Sequence, residues 1–219
     1  MLHSEYGDYY WRYHVRHSAF IDIALERFSA ANDAYIELMN QENENPDGRT
    51  YELRNIICNN CIETVCFSVM ALESYINTFS AAYISESFAE SIDRLDIPAK
   101  WVVTMKVYFG LNLEKGSAPL QKIHQCTRVR NSYIHSKSKP VHLNENGGVT
   151  IPGLNLKEAY MIPAYDALMA IEDARKWISQ NCSGDILLNI AFDDYSQQIK
   201  KDFLNTDNTW IFQEESTMF

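Results

Sequence analysis

Apolar residues recur every three or four positions along most of this chain, a spacing that predicts helices. From Arg16 to Gln41 the positions Phe20, Ala24, Leu25, Phe28, Ala31, Tyr35, Leu38 and Met39 form one amphipathic stripe. A polar turn from Asn43 to Gly48 precedes a longer stripe: Leu53, Ile57, Cys61, Val65, Val69, Leu72, Ile76, Phe79 and Tyr83. Pro98 suits the first turn of a short helix that stops at Gly110. Residues 117–135 lack an internal Gly and carry Leu120, Ile123, Cys126, Val129 and Tyr133 at helical spacing. Pro163 starts or kinks a further helix ending near Asn181, and Asp185 to Phe203 predicts a last one. Residues 140–155, with Asn146-Gly147-Gly148 between two short apolar runs, predict a small hairpin or long loop. The expected fold is therefore an all-α, mainly antiparallel bundle with that insertion. An aromatic arm or short helix (1–15) and a polar tail with scattered aromatics (205–219) flank one helical domain (16–204).

Length and composition agree with a folded chain: 219 residues, 46% hydrophobic and 12% aromatic. No run approaches the ~18 consecutive apolar residues of a membrane span, and no signal peptide is expected at the start. Five cysteines without framework spacing suggest reduced thiols in a cytoplasm.

Charge alters this picture at one place. The net charge of −10 speaks against a general nucleic-acid coat. Between Lys115 and Asn144, however, there is no Asp or Glu, while Lys115, Lys122, Arg128, Arg130, Lys137 and Lys139 are all basic. At the centre lies Arg128-Val129-Arg130-Asn131-Ser132-Tyr133-Ile134-His135. On a helix Asn131 and His135 share a side, whereas Arg130 and His135 stand roughly 140° apart, so a long arginine must bend to join the imidazole. An arginine that grips phosphate beside a histidine that exchanges protons is a minimal kit for phosphodiester cleavage without a metal.

Arg130-Asn131-Ser132-Tyr133-Ile134-His135 resembles the Arg-x4–6-His signature of the HEPN superfamily, and Ala71-Leu72-Glu73-Ser74-Tyr75-Ile76-Asn77 is similar to that superfamily's upstream helix. The resemblance spans roughly residues 50–180. It implies an α-helical, dimeric, metal-independent endoribonuclease of a toxin–antitoxin or antiviral system, with RNA and a possible antitoxin as partners and no cofactor. Arg130 would bind the scissile phosphate, His135 would transfer protons, and Asn131 would orient His135 or donate to phosphate. Lys122, Arg128, Lys137 and Lys139 would guide RNA. In one branch a tyrosine lies two residues after the histidine; here that position is Lys137, so modification of such a tyrosine does not carry over. The alternative is an inactive relative that binds nucleotide, RNA or a protein.

Glu73 is the only charged residue between Thr64 and Ser85. A carboxylate there needs a cation, and Arg128 or Arg130 are the expected partners, with Glu73 bracing Arg130. Cys58-Asn59-Asn60-Cys61 has no second ligand pair at finger spacing, so buried thiols are expected in place of zinc. Asp193-Asp194 reads as a solvated face. No phosphate loop, dinucleotide fingerprint, serine elbow or His-Glu-x-x-His occurs.

Overall fold

In a computed structural model the described residues are 3–41, 48–110, 113, 116–135 and 155–181. Among them every regular element is helical and no strand occurs. The expected hairpin at 140–155, the helix 185–203, the tail, Lys115, Lys137 and Lys139 lie outside the described residues, Asn155 excepted. The chain forms two compact units, residues 1–173 and 174–219.

Helices α1 (His3–Gln41) and α2 (Gly48–Tyr83) make the frame. Helix α1 runs unbroken from His3, so most of the aromatic segment expected as an arm or short helix is the first part of α1. The two helices are antiparallel: Phe20 meets Phe67, Ala24 meets Thr64, Arg27 meets Glu63 and Glu37 meets Arg49. The predicted stripe of α2 is the buried one, with Leu53, Ile57, Cys61, Val65, Val69, Leu72, Ile76 and Phe79 all at 2% exposure or less. Each such aliphatic or aromatic side chain contributes about 1.5–3 kcal/mol relative to exposure, so the spine dominates the core. Helix α2 is long and apolar enough to cross a membrane by length and composition, and 44% of its apolar 18-residue stretch is buried inside the fold.

Short helices turn the chain back. Ser85 caps α3 (Glu86–Ser91) by accepting the Phe88 N–H at 3.1 Å. Asp96 caps α4 (Ile97–Phe109) through the Ala99 N–H at 2.8 Å, with Pro98 in the first turn. Gly110 ends α4 at φ 68°, a left-handed conformation that favours glycine. Helix α4 lies on the C-terminal half of α2, where Tyr75 stacks on Trp101 and Ser80 shares a hydrogen bond with Thr104 at 2.8 Å.

Helix α5 (Ala118–Ile134) follows, entered by Ser117 and Pro119. It packs antiparallel to α2: Arg130 lies near Cys66, and Tyr133, three residues later, lies near Cys58 and Cys61. A single π-helical turn (Lys157–Met161) leads directly into α6 (Ile162–Asn181). That turn is held at the α2–α5 seam. Tyr133 Oη donates to the Ala159 carbonyl at 3.0 Å, Cys61 Sγ lies 3.4 Å from Met161 Sδ, and Tyr133 stacks on Tyr160.

Candidate functional site

Helix α5 has two unlike sides. Leu120, Ile123, Cys126 and Thr127 are buried against the body. Gln121, His124, Gln125, Arg128, Val129 and Ser132, spaced by threes and fours, line an open groove of about 580 Å³ on the other side. Arg130 is four residues beyond Cys126 and three beyond Thr127, so it continues the inward side. His135 is three beyond Ser132 and seven beyond Arg128, so it continues the groove side.

Arg130 is half-buried, and its Nε is enclosed without a hydrogen-bond acceptor. Among the described residues no carboxylate lies within ion-pair distance of it. Its positive charge acts on the thiols of Cys66 and Cys126, drawing both down against a larger upward push from burial. His135 is exposed and forms the C-cap of α5, its backbone N–H donating to the Asn131 carbonyl at 2.9 Å. Asn131 is exposed too, and its side chain makes no hydrogen bond to His135 among the described residues. The main chain of Asn131, rather than its amide, makes the link.

The expected Glu73–arginine brace is not made. Glu73 accepts from Lys100 Nζ of α4 at 3.0 Å, and Asp93 approaches the same ammonium at 3.5 Å. Geometry explains the exchange. The Arg130 charge acts on Cys66, and Glu73 is seven residues further along α2, roughly 10 Å at 1.5 Å per residue. The α4 crossing instead brings Lys100 onto Glu73. Lys100 is 1% exposed, so its chain is buried and its charge is answered by two carboxylates at the rim.

The positive face is also partly answered. Lys122 Nζ pairs with Asp173 Oδ2 of α6 at 2.7 Å, so Lys122 is not an uncommitted RNA contact. Gln125 Nε2 donates to Asp166 Oδ2 at 3.3 Å. Arg128 is exposed and has no ion pair or hydrogen bond among the described residues. The same holds for Gln121 and His124, which lie outside the Arg-x4–6-His motif. Their signal was present, because Gln121, Gln125, Arg128 and Ser132 form an unbroken polar stripe opposite the apolar one.

No family model, curated protein or solved structure matches this chain. The HEPN resemblance therefore rests on the motif.

The thiols near the site are not poised for nucleophilic work. Burial pushes Cys61 and Cys126 up to about 12 and raises Cys58 and Cys66 as well. Among the described residues no cluster of three His, Cys, Asp or Glu side chains could hold a metal ion.

Proposed function

We propose that this protein is a metal-independent endoribonuclease that binds single-stranded RNA along α5 and acts as a homodimer in a reducing cytoplasm. The observation that carries the reading is Arg130, a half-buried guanidinium with an enclosed Nε and no counter-anion among the described residues, near the end of a helix that has no acid of its own. A guanidinium left uncommitted in this way suits a phosphate, which it can grip through two N–H groups. Arg130 binds the scissile phosphate and stabilises the charge that builds on its oxygens. The ribose 2′-oxygen attacks phosphorus as one His135 takes its proton, and the bond to the 5′-oxygen breaks as a proton is delivered to it. The products are a 2′,3′-cyclic phosphate and a 5′-hydroxyl. A single His135 does not readily fill both proton roles, and a two-fold axis supplies the second. A role as a toxin or antiviral effector, with an antitoxin or other regulator as partner, follows from the resemblance.

A second reading is a non-cleaving module for RNA, nucleotide or a protein. One observation favours it: Arg130 is half-buried with its Nε enclosed while His135 is exposed, and roughly 140° of helix turn separates the two.

Substitution separates the two. In the nuclease, His135→Ala and Arg130→Ala each abolish cleavage, and His135→Ala leaves the helical signal and melting temperature intact. In the binding module the wild type yields no product and affinity survives His135→Ala. Full cleavage by His135→Ala would refute the mechanism.

A further inference from the structure

Sulfur is concentrated where α2 meets the π-helical turn. Cys58 and Cys61 stand one turn apart on α2, and consecutive residues of the π turn meet them. Met161 Sδ lies 3.4 Å from Cys61 Sγ, and the Tyr160 hydroxyl is hydrogen-bonded to Cys58. Cys61 and Met161 are sealed in the core at 0% and 1% exposure, while Cys58 is only half-buried. The turn is the one π-helical element among the described residues. Such turns are rare and concentrate at functional sites. This one carries Tyr160 and Met161 onto successive turns of α2, and Tyr133 fixes it from α5 through its bond to Ala159 and its stack on Tyr160.

We propose that Cys58, Cys61 and Met161 form a three-sulfur site for copper(I). The Cys61 thiol donates toward Met161 Sδ, so a proton occupies the edge between two sulfurs that a soft cation would take. Binding exchanges the protons of Cys58 and Cys61 for the ion and releases both to solvent. Thiolate and thioether donors together select copper(I). Structural zinc takes four ligands from thiolate, imidazole and carboxylate, and no third such group joins the two thiols among the described residues. The thioether of Met161 is what completes the set. Two thiolates and one monovalent ion leave one net negative charge, which the Arg54 guanidinium, acting on Cys58, offsets. Tyr160 orients the Cys58 sulfur from the outer shell. Cys58, half-exposed, gives the ion its route to the buried pair. None of these residues is assigned to RNA cleavage, so the site stands or falls apart from that reading.

Anaerobic titration of the reduced full chain with the coloured copper(I) complex of bicinchoninate tests this. The wild type should take one equivalent from the chelator. Met161→Leu conserves volume and should keep the fold, which its melting temperature checks. That variant is expected to bind copper(I) at least about tenfold more weakly, since losing even an outer-shell partner costs that much. Cys58→Ser and Cys61→Ser should each weaken binding about a hundredfold or more. Cys66→Ser, which alters the next thiol along α2, should bind as the wild type does. X-ray absorption of the loaded protein should show three sulfur neighbours and no nitrogen or oxygen. Equimolar zinc should leave the copper(I) bound, and its displacement would overturn the soft-ion assignment. Wild-type affinity in Met161→Leu, equal loss in Cys66→Ser, a nitrogen or oxygen ligand, or no copper taken from the chelator would each overturn the site.

Discussion

Glu73→Ala is the most informative change to the body of the protein, because it removes one member of a lopsided ion pair. Lys100 is 1% exposed while Glu73 is 38% and Asp93 76% exposed. Stranding a buried charge costs about 3–5 kcal/mol when its partner is buried as well. Here solvent reaches the carboxylate, and Asp93 stays at 3.5 Å to answer the ammonium in part. The expected cost of Glu73→Ala is therefore about 2 kcal/mol after discounting for screening. For a chain of this size that is about 4–8 °C in melting temperature. The reverse change is gentler. Lys100→Met keeps most of the buried volume and leaves Glu73 able to turn to water, so about 0–1 kcal/mol is expected. The double variant should cost less than the two single changes added together. Melting followed by far-ultraviolet dichroism gives all three values. A Glu73→Ala variant that melts with the wild type would refute the assignment of Lys100 as a charge held by Glu73. Loss of RNA cleavage in Lys100→Met at unchanged stability would refute the separation of this pair from Arg130.

Burial holds the thiols of Cys61 and Cys126 up to about 12, so both stay protonated and unreactive toward Ellman's reagent at mildly alkaline pH until the chain unfolds. Mass spectrometry after brief labelling checks this, and rapid modification of either in the native protein would contradict the packing of the α2–α5 seam. The composite-site mechanism requires a homodimer, which sedimentation across a concentration series should detect. A strict monomer at high micromolar concentration would remove the second histidine.

Most helix boundaries could be read from the sequence because local chemistry sets them. Pro98 and Gly110 bracket α4, Pro119 opens α5, and the charge-poor stretch of α2 marks a helix covered on several sides. What escaped depends on elements distant in sequence. The partner of Glu73 is decided by where α4 crosses α2, and nothing around residue 73 encodes that. The acid-free run from 115 to 144 is acid-free only along the chain, since α6 brings Asp166 and Asp173 against its flank. Helical spacing sets Arg130 and His135 roughly 140° apart around the axis. It could not reveal which of them the body would cover. Residues 3–15, rich in Tyr and Trp and poor in aliphatics, give little stripe and so leave an arm and a short helix equally open; the backbone continues α1 through them.

The central claim is that the arginine and histidine of this helix cleave RNA through the ribose hydroxyl. The most direct measurement is product-end analysis after incubating wild-type protein with single-stranded RNA in excess chelator, beside the same strand carrying one 2′-deoxy residue at the cut site. The expected result is an upstream fragment ending in a 2′,3′-cyclic phosphate, no cutting at the deoxy position, and no product from His135→Ala. Cleavage that chelator stops, cutting of the deoxy position, or wild-type activity in His135→Ala would contradict it.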